Sequence, residues 1–140
     1  MNTNEIAESL FEQFKPTTST SLTEALNDFS RGEVGVLGYL AFDKDEATAG
    51  ELSEKLQVTT ARIASILNSL ESKEYIIRRE DKSDKRKTVV VITKKGIDLA
   101  TKTKKEIIDK IIKVINEVGY EEVNEYIRIA TKIRTVLDKQ

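Results

Sequence analysis

Two short runs break the helical period of this chain. Almost everywhere its apolar residues recur three and four positions apart. Tyr75-Ile76-Ile77-Arg78-Arg79 and Thr88-Val89-Val90-Val91-Ile92-Thr93 instead concentrate β-branched and aromatic residues, the pattern of strands. Between them lies the polar stretch Glu80 to Lys87, with four basic side chains. A helical chain interrupted by a single hairpin is restricted to a mainly α fold with a small β element. With 140 residues, one Pro and six Gly, it is long enough to bury a core as one domain.

The residues that are missing narrow the chemistry. There is no Cys and no His, which removes disulfides, thiolate redox sensing, the commonest general base and the commonest zinc ligand. Catalytic triads and zinc hydrolases are excluded, and the sequence calls for no cofactor. No apolar stretch approaches the ~18 residues of a membrane span, and the N-terminus MNTNEIAESL is acidic, unlike a signal peptide. A cytoplasmic protein without membrane contact is expected.

Charge is distributed unevenly. Residues 1–61 carry 4 basic and 11 acidic side chains, whereas residues 62–95 carry 10 basic and 5 acidic. A basic segment of net +5 inside a chain of net −1 points to a local anionic partner.

Ile6, Leu10, Phe11 and Phe14 predict a first helix ending at Pro16, followed by a loop over Thr17 to Ser21. Leu22, Leu26 and Phe29 predict a second helix. Gly32 opens a third, with Val34, Val36, Leu37, Leu40 and Phe42 apolar. The regular spacing of Gly32, Gly35 and Gly38 suits close helix packing rather than a phosphate loop, since no strand precedes it. Asp43 to Glu46 reads as a solvated turn. Thr48 and Glu51 fit a capping box for a short helix through Leu52 and Leu56. After a turn at Gln57-Val58, Thr59 is the natural N-cap of the next helix. Two short helices joined tightly make a helix-turn-helix candidate.

The second helix of that pair is unusual outside as well as inside. Ile63, Ile66, Leu67 and Leu70 share one face, leaving Ala61, Ser65, Asn68 and Ser72 opposite, flanked by Arg62 and Ser69. A merely solvated face usually carries Glu and Lys. Short donors and acceptors with one Arg suit entry into a major groove. A helix-turn-helix followed by a basic hairpin is a winged helix. An ordinary solvated loop is the plainer account of the hairpin, and its Asp81 and Asp84 lack the Gly and terminal Glu of a calcium loop.

Thr93-Lys-Lys-Gly96 then starts a helix rich in Ile and Val (Ile107, Ile108, Ile111, Ile112, Ile115) that ends at Gly119. A last helix aligns Val123, Tyr126, Ile127, Ala130, Ile133 and Leu137. So wide an apolar stripe implies a partner surface, most simply a second copy.

The hairpin segment Asp84 to Gly96 resembles the wing of the MarR (multiple-antibiotic-resistance regulator) family. It has D-x-R, then Val90, Ile92, Thr93 and Gly96 at the family's fixed spacings. Thr60-Ala-Arg-Ile-Ala64 and Leu67-Asn-Ser-Leu-Glu71 are similar to the recognition helix of a bacterial subgroup, and the order of elements covers nearly the whole chain. Many relatives have Gly where Gln57 and Glu74 stand here. Lack of Cys and His separates this chain from peroxide- and zinc-sensing members.

The resemblance implies a homodimeric repressor on a pseudo-palindromic DNA operator, with residues 1–31 and 97–140 as dimerisation helices and 32–96 as the winged helix-turn-helix region. The implied DNA-contacting set is Thr59, Thr60, Ala61, Arg62, Ser65, Asn68, Ser69, Lys82, Lys85, Arg86 and Lys87. Arg62 would meet guanine, Ala61 a thymine methyl, and Ser65 or Asn68 bases or phosphates. Arg86, oriented by Asp84, would enter the minor groove, and Lys82, Lys85 and Lys87 would hold phosphates. The resemblance also implies a small-molecule effector pocket between the dimerisation helices and the winged region; Tyr39, Phe42 and Tyr75 either line it or belong to the core. A dimeric winged-helix protein that binds another regulator instead of DNA is the alternative.

Overall fold

The computed structural model describes residues 1–15 and 21–140. The loop expected over Thr17 to Ser21 lies outside the described residues except for Ser21, which opens the second helix. Seven helices occur among the described residues: α1 (Thr3–Phe14), α2 (Ser21–Arg31), α3 (Glu33–Phe42), α4 (Ala49–Leu56), α5 (Thr60–Ser72), α6 (Lys94–Val118) and α7 (Tyr120–Leu137). The strands are β1 (Glu46–Thr48), β2 (Ile76–Glu80) and β3 (Thr88–Ile92). They form one antiparallel sheet in the order β1-β3-β2.

Helix α3 is the hub. Only Glu33 is charged in its ten residues, and Gly35, Val36, Leu37, Gly38 and Leu40 are all buried. It packs against α2 and α6, and its glycines permit the approach: a Cβ on Gly35 would lie 2.8 Å from the Phe29 carbonyl oxygen. Around it close Leu52 and Leu56 of α4, Ile63, Ile66, Leu67 and Leu70 of α5, and Ile76 and Val90 of the sheet. Side chains of this size each contribute about 1.5–3 kcal/mol when fully buried, so α5 is firmly held by its inner face.

Two expectations need correction. Glu46 is not part of a solvated turn: it begins β1, pairs in register with Val91, and binds Arg79 of β2. A three-residue strand is too short to show alternation, so only its pairing with β3 reveals it. The Thr48 capping box is half formed. Thr48 Oγ1 accepts from the Glu51 N–H at 3.2 Å, but the Glu51 carboxylate binds Lys44 Nζ at 2.9 Å.

The wing closes onto α6 through the chain just before each. The Thr93 N–H donates to the Tyr75 carbonyl at 3.0 Å, and its hydroxyl donates to the Glu74 carbonyl at 2.8 Å. Thr93 Oγ1 also caps α6 by accepting from the Gly96 N–H at 3.2 Å. At Gly96 a Cβ would stand 2.3 Å from the Tyr75 carbonyl oxygen, which accounts physically for glycine at the end of the wing segment.

Candidate nucleic-acid interface

The interface is built on α5 and the hairpin β2–β3. Helix α4 stops because Gln57 adopts a left-handed conformation, φ 55°, and the Ser53 hydroxyl donates to the Val58 carbonyl at 2.6 Å across the turn. Thr59 then caps α5, its Oγ1 accepting from the Arg62 N–H at 3.1 Å. This fixes the start of α5 one turn before its outward-facing polar residues.

Of the expected contact residues, Thr59, Thr60, Ala61, Arg62, Ser65 and Asn68 are exposed on one side of α5. Ser69 differs. It is half-buried and hydrogen-bonds the Glu33 carboxylate of α3, which also binds Lys73 Nζ at 3.0 Å. Burial pushes the Glu33 carboxyl up, but the hydrogen bonds from Ser69 and Lys73 outweigh it and hold the group below its usual range. Glu33 thereby ties the C-terminal turn of α5 to the hub helix.

The hairpin tip is shaped by its two aspartates. Asp81 Oδ1 accepts from the Ser83 N–H and hydroxyl, each at 3.1 Å. Asp84 Oδ1 accepts from the Arg86 N–H and Nε, each at 3.1 Å, while its Oδ2 meets Nη2 at 3.3 Å. These bonds from Arg86 hold the Asp84 carboxyl below its ordinary range. The Arg86 side chain is nonetheless 90% exposed, so its guanidinium is held by Asp84 on one edge and open to solvent on the rest. Lys82, Lys85 and Lys87 are exposed around it.

One participant escaped the sequence reading. Arg78 of β2 reaches under α5, and its Nη2 donates to Asn68 Oδ1 at 2.9 Å. Strand alternation held the signal, because Arg78 falls on the same side as Ile76, a core residue, and a charge there needs a partner. Among the described residues no carboxylate cluster is arranged to hold a metal, and no helix is long and apolar enough to cross a membrane.

A sequence profile of the winged helix DNA-binding domain matches residues 33–112, more than half of the chain. The chain belongs to this family. Curated proteins offer no match. Among solved structures, MepR, a transcription regulator of the Staphylococcus aureus multidrug efflux pump MepA, is 21% identical with a TM-score of 0.65, covering 98% of this chain and 99% of its own. FabT of Streptococcus pneumoniae, solved in complex with DNA, is 24% identical with a TM-score of 0.67 over 97% and 95%. YusO of Bacillus subtilis is 17% identical with a TM-score of 0.65 over 94% and 92%. Such likeness establishes a shared fold, and with the matching profile it bears out the winged helix read from the helix pair and the hairpin.

Proposed function

We propose that this winged-helix protein is a homodimeric transcriptional repressor that binds a pseudo-palindromic operator and is released by a small-molecule effector. One observation carries the reading. Helix α5 buries Ile63, Ile66, Leu67 and Leu70 while presenting Thr60, Ala61, Arg62, Ser65 and Asn68, next to a hairpin tip with Lys82, Lys85, Arg86 and Lys87 exposed. Held by its inner face, such a helix enters a major groove, with Arg62 toward guanine and Ala61 toward a thymine methyl. Ser65 and Asn68 meet base edges. Thr59, Thr60, Lys82, Lys85 and Lys87 meet phosphates, and Arg86 enters the adjacent minor groove. Ser69, occupied by Glu33, contributes at the margin of this surface. The DNA complex of FabT supports the assignment.

Residues 1–31 and 97–140 serve dimerisation around the winged region 32–96. Support comes from the apolar side chains that α1 and α7 leave uncovered: Phe11, Phe14, Ile127 and Leu137 are each more than half exposed. Both helices line one groove of about 390 Å³ containing Leu10, Phe14, Ile133 and Leu137. An effector has room in a cavity of about 540 Å³ walled by Phe29, Tyr39, Phe42, Lys55 and Lys104. Tyr39 and Tyr75 both pack against the core, and Tyr75 does not line this cavity. Occupancy that changes the spacing of the two α5 helices changes operator affinity.

Selection from a pool of random duplexes tests the function directly. Enrichment of a two-fold-related sequence is expected. Recovery of no preferred sequence, with a partner regulator captured instead, would replace DNA binding by protein binding.

A further inference from the structure

Arg78 occupies a position that strand geometry reserves for apolar residues. In the β2–β3 pairing Ile76 faces Ile92 and Arg78 faces Val90, and Ile76 and Val90 are each 1% exposed in the core. A guanidinium on that face must find its acceptor at the far end of its reach. It lines a small cleft of about 210 Å³ together with Ala49, Ala64, Leu67, Thr88 and Val90, and it reaches Asn68 Oδ1 at 2.9 Å. Arg78 Nε is shut off from solvent without a partner among the described residues, so the head group is held by its Nη2 end.

The consequence falls on Asn68, which is exposed on the outer side of α5. An amide that faces a guanidinium presents its oxygen, because opposed N–H groups repel. Its Nδ2 has no hydrogen bond among the described residues and is the end left for a ligand. The usual asparagine contact to adenine needs both ends of the amide, Nδ2 to N7 and Oδ1 from N6. Arg78 takes one of the oxygen's two lone pairs and turns that end toward β2, so the end left outward is the donor. Guanine, with adjacent acceptors O6 and N7, or thymine O4 matches it better than the mixed edge of adenine or the donor of cytosine.

We propose that Arg78 is a positioning residue that locks the Asn68 amide as a hydrogen-bond donor and thereby sets a guanine or thymine preference at the base facing Asn68. The proposal rests on the reading of α5 as the base-contacting helix, and its test has one arm without DNA. In that arm the Asn68 side-chain amide, assigned by its disappearance in Asn68→Ala, is followed by nuclear magnetic resonance. The wild type should show a shifted amide pair, and Arg78→Met should return it to the position of a solvent-exposed asparagine.

The second arm measures binding to operator duplexes varied at the base pair where Asn68→Ala relaxes selectivity. A wild-type preference of about tenfold or more should fall to within about threefold in Arg78→Met. Arg78→Met should change nothing further in the Asn68→Ala background, since it acts through that residue. Asn68→Asp, which keeps an acceptor for Arg78 and so spares the hairpin, should move the preference toward cytosine. A specificity loss that persists in the Asn68→Ala background would make Arg78 a direct DNA contact and overturn the proposal. So would a guanine or thymine preference retained by Asn68→Asp. An amide unmoved by Arg78→Met overturns the proposal alone. A wild type that prefers no sequence while its amide still responds overturns the DNA reading, and the base preference falls with it.

Discussion

Gln57 and Glu74 are the two residues other than glycine with positive φ among the described residues, at 55° and 66°. They stand where the resemblance to the MarR family implies Gly, so the backbone keeps the glycine conformation without the glycine. Each left-handed L-residue costs about 1–2 kcal/mol. Gln57→Gly and Glu74→Gly should therefore each raise stability by about 1 kcal/mol, measured as a higher denaturant midpoint with an unchanged slope. Gly96 predicts the reverse. With the Tyr75 carbonyl 2.3 Å from its missing Cβ, Gly96→Ala should cost about 1–3 kcal/mol through forced backbone movement. Glu33 gives a pH dependence. Its folded-state pKa is lowered, so its contribution is present above the ordinary value near 4.5 and is lost as the pH falls through the lower folded value. The pair is partly exposed, and Glu33→Gln should remove less than about 1 kcal/mol at neutral pH. The same substitution should flatten the acid limb of the stability curve.

On the proposed DNA reading, helix α5 and the wing divide labour in a way that two arginines can separate. Arg62 leaves the first turn of a helix whose inner face is buried, whereas Arg86 projects from a hairpin tip and is tethered there by Asp84. Arg62→Ala should cost roughly 1–3 kcal/mol per contact and relax preference at one base pair per half-site. Arg62→Lys should restore it only in part, because an ammonium lacks the planar fork. Arg86→Ala should weaken binding to all duplexes and blunt only a flanking A·T preference. Competition binding on single-base operator variants checks both outcomes, and a uniform loss in Arg62→Ala would reduce that residue to a phosphate anchor. Element boundaries themselves were legible where local chemistry decides them. Thr59, Thr93 and Gly119 mark helix ends as their residue types predict. The capping box at Thr48 lost one arm because Lys44 competes for Glu51, whereas Asn2 and Glu5 of α1 form both arms, at 2.9 and 3.1 Å.

At the scale of the whole molecule, α1, the C-terminal half of α6 and α7 carry apolar surface that the described residues of one chain do not cover. Ile107 is buried and Ile111 and Ile115 are half-buried, but Ile108 and Ile112 remain exposed, and α7 has no buried residue. Removing residues 117–140 should yield aggregated or unfolded protein by sedimentation. A soluble folded monomer would count against the dimer. If a dimer neutralises on the order of 6–10 phosphates, operator affinity should fall roughly 10³–10⁵-fold between 50 and 200 mM salt. A nearly flat dependence would favour a protein partner.

What local sequence determines is whatever depends on neighbours along the chain. The switch of period after Glu74, the caps at Thr59 and Thr93, the inward stripe of α5 and the basic hairpin tip all follow from side-chain spacing within a few residues. They were enough to reach the winged helix. Tertiary structure decided the rest, because it depends on residues far apart in sequence. Strand β1 exists only through its pairing with β3, and Glu46 finds Arg79 only there. Ser69 is taken up by Glu33 because α3 lies beneath the end of α5. Asn68 is turned by Arg78, ten residues away on another element. Periodicity shows which face a side chain occupies, but it cannot show which partner fills its hydrogen bonds, and at Asn68 that partner determines what the exposed edge offers.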